Sequence, residues 1–195
     1  MKPSQQAILF LINVIFDSYL LVLMIRFILC WARADYFNPI IQMIIQLTQP
    51  LVAPIRRLLP TTKGIEISTL VIMLILDAFK FFLVGLVILG LPNNFLGLFV
   101  LGLADLLRLF FNILFFSIIA QAVLSFFQPS SSQITQLLNK LTSPVLRPVR
   151  KYIPPIKGYD ISPIPVLIVL QLLIILLVQP LAQAGQNIAF GGVQL

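Results

Sequence analysis

Residues 47–68 read LTQPLVAPIRRLLPTTKGIEIS, and residues 141–162 read LTSPVLRPVRKYIPPIKGYDIS. The two align without a gap at a constant offset of 94 residues. Leu47, Thr48, Pro50, Pro54, Arg56, Pro60, Lys63, Gly64, Ile67 and Ser68 recur as Leu141, Thr142, Pro144, Pro148, Arg150, Pro154, Lys157, Gly158, Ile161 and Ser162. Arg57 becomes Lys151 and Glu66 becomes Asp160, so charge survives where identity does not. In a chain of 195 residues this offset means two copies of one unit, at residues 1–94 and 95–195.

The surroundings of the doubled motif set the class. The chain is 59% hydrophobic and only 10% charged, with a mean hydropathy of +1.05. Soluble domains carry about 25% charged residues, so composition points away from a water-soluble fold. Four apolar stretches match the roughly 20 residues that cross a bilayer: Ala7 to Trp31, Ile67 to Leu91, Phe95 to Phe127 and Ile161 to Leu181. A fifth, Ile40 to Leu59, is interrupted by Pro50, Pro54, Arg56 and Arg57. The first stretch is too long for the apolar region of a secretory signal and carries Asp17 and Arg26, so it reads as a retained span. The expected fold is an all-α membrane protein of four transmembrane helices.

Short loops rich in Lys and Arg stay cytoplasmic. Between spans one and two lie Arg33, Arg56, Arg57 and Lys63; between spans three and four lie Lys140, Arg147, Arg150, Lys151 and Lys157. The turn Pro92-Asn93-Asn94 and the C-terminal tail have no basic residue. Both termini and the middle turn are therefore expected to be periplasmic. Two spans per unit is an even number, so the copies share one orientation, as parallel repeats do.

Each cytoplasmic segment (38–60 and 132–154) reads as an amphipathic interfacial helix. Ile134, Leu137, Leu138 and Leu141 fall on one face at helical spacing, and Gln42, Gln46 and Gln49 form a polar stripe in the first copy. The prolines that follow lack an N–H and restrict the residue before them, which disfavours a long continuous helix. A single turn between prolines would present the dyads Arg56-Arg57 and Arg150-Lys151 to phospholipid headgroups, each cation being worth about 1 kcal/mol at an anionic leaflet. Topology bias alone also accounts for such dyads. Lys63-Gly64 and Lys157-Gly158 read as turns, Ser68 and Ser162 as helix caps, and Glu66 and Asp160 as acids at a helix N-terminus, paired with the neighbouring lysines in a structural clamp.

Ionisable residues within a span are costly and usually carry a role. Counting back from the turn at Pro92 sets Lys80 level with Asp105 and Asp77 level with Arg108, and Asp17 lies at a similar depth. Two readings stay open: an ion-pair network of Asp17, Asp77, Lys80, Asp105 and Arg108 that fixes helix packing, or a polar path for ions. A path usually leaves an excess of acid, whereas three acids (Asp17, Asp77, Asp105) and three bases (Arg26, Lys80, Arg108) neutralise one another. Arg26 is expected to snorkel to headgroups, beside Trp31 as an interfacial anchor. Gly85, Gly90, Gly97 and Gly102 are expected to bring spans two and three close together.

The chain has no histidine and one cysteine, Cys30. A His-based triad, an intrachain disulfide and a Cys/His metal site are therefore excluded, and no cofactor or metal is expected. The net charge of +7 is explained by an anionic membrane better than by nucleic acid, because the basic residues cluster beside the spans.

The doubled T-x-P-x-x-x-P-x-R-[RK]-x-x-P followed by G-x-[DE]-x-S, with Arg26 and Trp31 ahead of the first copy, resembles the YggT family of bacterial membrane proteins, in its two-copy form. The second copy departs by having Gln121 and Phe126 where Arg26 and Trp31 stand. The resemblance implies an integral inner-membrane protein linked to osmotic-stress tolerance, with relatives linked to cell division or chromosome organisation and to cytochrome assembly. It supplies no catalytic residue. The expected function is a non-enzymatic membrane scaffold or assembly factor. It would engage anionic phospholipid and other membrane or cytoplasmic proteins through Arg56, Arg57, Lys63, Arg150, Lys151 and Lys157. The alternative is an ion transporter or channel.

Overall fold

Among the described residues there are six helices: α1 (Pro3–Trp31), α2 (Pro39–Arg56), α3 (Ile67–Ile88), α4 (Phe95–Phe127), α5 (Gln133–Tyr152) and α6 (Pro163–Phe190). The computed structural model describes residues 2–33, 38–57, 66–88, 90–92, 94–127, 133–152, 160 and 162–191. Four helices, α1, α3, α4 and α6, are long and apolar enough to cross a membrane, and α2 and α5 hold the doubled motif. Lys63, Gly64, Lys157 and Gly158 lie outside the described residues, as do Pro60, Pro154 and the side chain of Phe126.

Local chemistry sets the helix ends. Asn38 accepts a hydrogen bond from the Ile40 N–H at 2.9 Å, with Pro39 at the first helical position, a pre-formed start for α2. Asn94 does the same for Leu96 at the start of α4. Gly90 adopts φ +93° and returns its N–H to the Gly85 carbonyl, a left-handed turn that ends α3 and that only glycine adopts without strain.

The packing makes each half an antiparallel pair. Gln5, near the start of α1, reaches the Val87 carbonyl at the end of α3, while Arg26 at the other end of α1 meets Glu66 just ahead of α3. Gly97 at the start of α4 lies against Ala189 at the end of α6. The elbow helices α2 and α5 sit at the same end of the bundle, where Asn38 Nδ2 donates to the Gln133 carbonyl across the two halves. The core is continuous there: Leu23 and Ile28 of α1, Val52 of α2, Met73 of α3, Leu114 and Ile118 of α4, Leu146 of α5 and Leu170 of α6 are all buried. A smaller cluster at the far end joins Ala78, Leu98, Leu101, Ala189 and Phe190.

Three expectations need correction. First, α2 runs unbroken through Pro50 and Pro54, and α5 through Pro144 and Pro148. In each elbow the prolines stand four apart, and Pro50, Pro54 and Pro148 are exposed, so the carbonyls they deprive of partners fall on an outward side open to other donors. Second, the fourth span does not stop at Leu181. It passes Pro180 through a π turn at Ile174–Val178, which absorbs the missing donor, and continues to Phe190. Third, the glycines do not all join α3 to α4. Gly102 does, against Ala78, but Gly85 faces Phe190 and Gly97 faces Ala189, so the close approaches include α6.

Candidate functional site

Three polar assemblies stand out, one under each elbow and one within the spans. Under the first elbow, Arg26 is only 5% exposed rather than snorkelling outward. Its guanidinium donates to both carboxylate oxygens of Glu66, at 2.9 and 2.8 Å, and to Thr48 Oγ1 at 2.8 Å. Thr48 in turn donates to the Ile44 carbonyl at 2.7 Å, and Thr69 Oγ1 donates to Glu66 at 2.8 Å. A buried arginine thus ties α1, the elbow and the start of α3 together. The fork geometry explains why the residue is arginine, since a lysine cannot present two parallel donors. Burial pushes the Glu66 carboxyl up, but hydrogen bonds from Arg26 and Thr69 and the charges of Arg26 and Arg56 outweigh it and hold the pKa below the usual value.

The second elbow solves the same problem with other residues. Gln121 takes the place of Arg26 and accepts from Thr142 Oγ1 at 2.6 Å, and Thr142 bonds back to Leu138 as Thr48 does to Ile44. Glutamine brings no charge for the acid, so the elbow's own Arg150 takes Asp160, at 2.9 Å through Nε and 2.7 Å through Nη2. Burial pushes Asp160 up, yet hydrogen bonds from Ser162 and Arg150 keep it below the usual range. The repeat-equivalent Arg56 stays 3.9 Å from Glu66. Among the described residues the acids pair with arginines; Lys63 and Lys157, expected beside them, lie outside the described residues. Ser162 stands at the N-cap position of α6, as expected, but its hydroxyl donates to Asp160 rather than capping the helix, while Ser68 lies inside α3, where the Glu66 carbonyl accepts from Thr69.

The dyads are on the outside. Arg56, Arg57, Arg150 and Lys151 are all exposed, while the same helices bury Ile41, Thr48 and Val52, or Leu141, Thr142 and Leu146, against the bundle. On α2 the polar stripe Gln42, Gln46 and Gln49 is exposed next to an exposed apolar row, Met43, Leu47 and Leu51. Trp31, 39% exposed, closes the first span with its ring 6.0 Å from that of Phe110.

Within the spans, Lys80 is the centre of the charge cluster. Its ammonium lies 2.6 Å from Asp105, 3.0 Å from Asp17 and 2.7 Å from Asp77, and 4.6 Å from the Phe81 ring. Asp77 is fully buried, and its contact with Lys80 is an ion pair by distance without a directed hydrogen bond to either carboxylate oxygen. The depth-matched pairing of Lys80 with Asp105 is present, but Arg108 does not pair with Asp77. Arg108 is exposed and lines the cavity of about 360 Å³ beside Asp17, Lys80 and Asp105. Sequence depth places residues along a helix but not around it, and Lys80 stands one turn from Asp77 on α3, close enough to take it.

Thr48 and Thr142 were not singled out in the sequence, although both stand in the doubled motif. Their identity across the copies was the available signal, and a hydroxyl that bonds its own helix and a residue on the neighbouring span is the chemistry behind it.

The family model described as CCB3/YggT matches the chain twice, at residues 5–87 and 100–181. An uncharacterized protein of Vibrio alginolyticus, from the region 3′ of proC, is 35% identical over 163 residues, covering 83% of this chain and 88% of its own. The uncharacterized protein YggT of Escherichia coli K12 is 31% identical over 183 residues, 94% of this chain and 95% of its own. An uncharacterized protein of Pseudomonas aeruginosa is 32% identical over 178 residues, 90% of each chain. No solved structure matches significantly.

Proposed function

The chain belongs to the CCB3/YggT family, and from that premise we propose that it is a non-enzymatic scaffold of the bacterial inner membrane, with both termini periplasmic. Its two elbows lie on the cytoplasmic leaflet, engage anionic lipid, and present a basic surface to partner proteins. The observation that carries this reading is the pair of clamped elbows at one end of the bundle, each with an exposed dyad on its outer side. Rigid clamps make sense for a surface that must stay in place. The exposed row Met43, Leu47 and Leu51 beside Gln42, Gln46 and Gln49 suits a helix lying between acyl chains and water. Resemblance to YggT proteins supports a place in osmotic-stress tolerance.

The test is replacement of Arg56, Arg57, Arg150 and Lys151 by glutamine together. The variant inserts into membranes as before, but its affinity for vesicles rich in phosphatidylglycerol falls, and it does not restore growth of a deletion strain at high osmolarity. Unchanged lipid affinity together with full restoration of growth rejects the proposal.

One observation favours a second reading, an ion path. Arg26 is spent on Glu66, so the cluster in the spans has three carboxylates around one ammonium, with Arg108 in no ion pair among the described residues. This is an acid excess, the condition that separates a path from a neutral network. Ion flux into proteoliposomes, abolished by Asp77→Asn with Asp105→Asn, supports it; flux equal to empty liposomes removes it.

A further inference from the structure

We propose that the crevice beneath the first elbow seats the phosphate of one anionic phospholipid through Arg56, and that the equivalent Arg150 of the second elbow, bound to Asp160, does not do so. The inference rests on the lipid-engaging reading above and goes beyond it by assigning one seat to one side chain. The crevice has a volume of about 400 Å³. Arg26, Gln49, Arg56 and Glu66 line its polar side, and Ile41, Ile44 and Ile45 of α2 form apolar wall. That combination fits an amphiphile whose head is anionic and whose chains are hydrocarbon.

Charge decides the sign of the ligand. Two guanidiniums face one carboxylate, leaving one positive charge. Arg26 satisfies Glu66 through two bonds at 2.8 and 2.9 Å, which neutralises the acid and frees the second cation from that duty. Arg56 stands at 3.9 Å from Glu66, beyond hydrogen-bond reach, and is 51% exposed at the crevice. A guanidinium so placed can offer its fork to two phosphate oxygens. In the second elbow the counterpart Arg150 is already bound to Asp160 at 2.7 Å, and Gln121 contributes no charge, so arginine and acid cancel. The apolar side agrees. The outward row Met43, Leu47 and Leu51 is exposed on α2, whereas its repeat counterparts Leu137, Leu141 and Val145 on α5 are buried or half-buried. The first elbow therefore exposes to the acyl layer an apolar row that the second covers.

The experiment is native mass spectrometry of the full chain, released from micelles doped with equal amounts of phosphatidylglycerol and phosphatidylcholine. The unaltered protein retains one phosphatidylglycerol. Arg56→Gln weakens that retention about tenfold, the value of one hydrogen bond between charged groups. Arg56→Lys, which keeps the charge and loses the fork, falls between, and Arg150→Gln leaves retention unchanged. Arg56 is half exposed and outside the buried clamp, so its variants fold; circular dichroism verifies this. Equal losses from Arg56→Gln and Arg150→Gln overturn the seat while leaving diffuse engagement by both dyads standing. No loss from either overturns the seat and the lipid-engaging reading together. Displacement of the lipid by millimolar inorganic phosphate shows a free-anion site and overturns the lipid assignment.

Discussion

Replacing Arg26 by glutamine gives the first half of the protein the residue that the second half uses at position 121, and the structure allows the cost to be worked out. Removing one partner of a buried ion pair costs about 3–5 kcal/mol, because the remaining charge is left without compensation. The glutamine recovers the link to the elbow, since Gln121 bonds Thr142 at 2.6 Å where Arg26 bonds Thr48 at 2.8 Å. Glu66 then has one cation within reach. Arg56 is 3.9 Å away, and Arg150 shows that an arginine at this position closes on its acid to 2.7 Å. Arg26→Gln should therefore fall at the lower end, about 3 kcal/mol, and Arg26→Gln with Arg56→Gln at the upper end, about 5 kcal/mol. Arg26→Gln with Glu66→Gln removes both buried charges and should cost only about 1 kcal/mol, the scale of ordinary hydrogen bonds. The assay is equilibrium unfolding in mixed micelles by increasing dodecyl sulfate. It is read from the fluorescence of Trp31, the one tryptophan in the chain, which packs against Phe110 in the folded state. An Arg26→Gln cost below about 1 kcal/mol, the level of exposed pairs, would refute the clamp. So would equal costs with and without Arg56, because the rescue would then not exist.

Three further outcomes follow from the same contacts. A Cβ on Gly97 would stand 2.3 Å from the Ala189 nitrogen, whereas one on Gly102 would meet Ala78 at 3.3 Å; Gly97→Ala should cost about 1–3 kcal/mol in the unfolding assay, and Gly102→Ala less. Lys80→Met strands the buried Asp77 between two other acids, for a loss of about 3–5 kcal/mol that Asp77→Asn in the same chain should partly restore. Glu66 and Asp160 are both held below their ordinary pKa, so the stability they contribute is complete at neutral pH and is lost as pH falls through the lowered values. Unfolding should become easier below about pH 4, and Glu66→Gln should flatten that dependence more than Asp160→Asn, because Asp160 is 35% exposed and more screened.

The repeat, the four spans and the presence of two elbow helices were legible in the sequence, because each rests on one-dimensional facts: an offset, a length, a polar stripe. The fate of Arg26 was not. A cation near a helix end reads as snorkelling when the only neighbour in view is the bilayer, and the partner that changes this, Glu66, stands 40 residues away. Lys80 and Asp105 were matched because a short turn fixes the register of α3 against α4, while Arg108 was misassigned because depth does not say which way a helix is rotated. The prolines misled for a related reason. Their cost is set by where the orphaned carbonyls point, and in the elbows Pro50, Pro54 and Pro148 point outward.

Duplication also explains why the two halves differ where they do. A unit with a free elbow arginine and an acid at the next helix start is self-sufficient, as the second half shows: Arg150 and Asp160 close on each other and need no help from the span. Adding a buried arginine at position 26 does not make that unit possible; it makes one of its charges redundant. The added cation must be held from three sides, and Thr48, Gln49 and Glu66 do hold it, at 2.8, 3.4 and 2.8 Å. Such a costly arrangement is hard to explain by fold stability alone, since a buried ion pair adds little over a well-packed apolar core. It is explained if what the first half gains is the release of Arg56 to the outside, at the end of the bundle where both elbows meet.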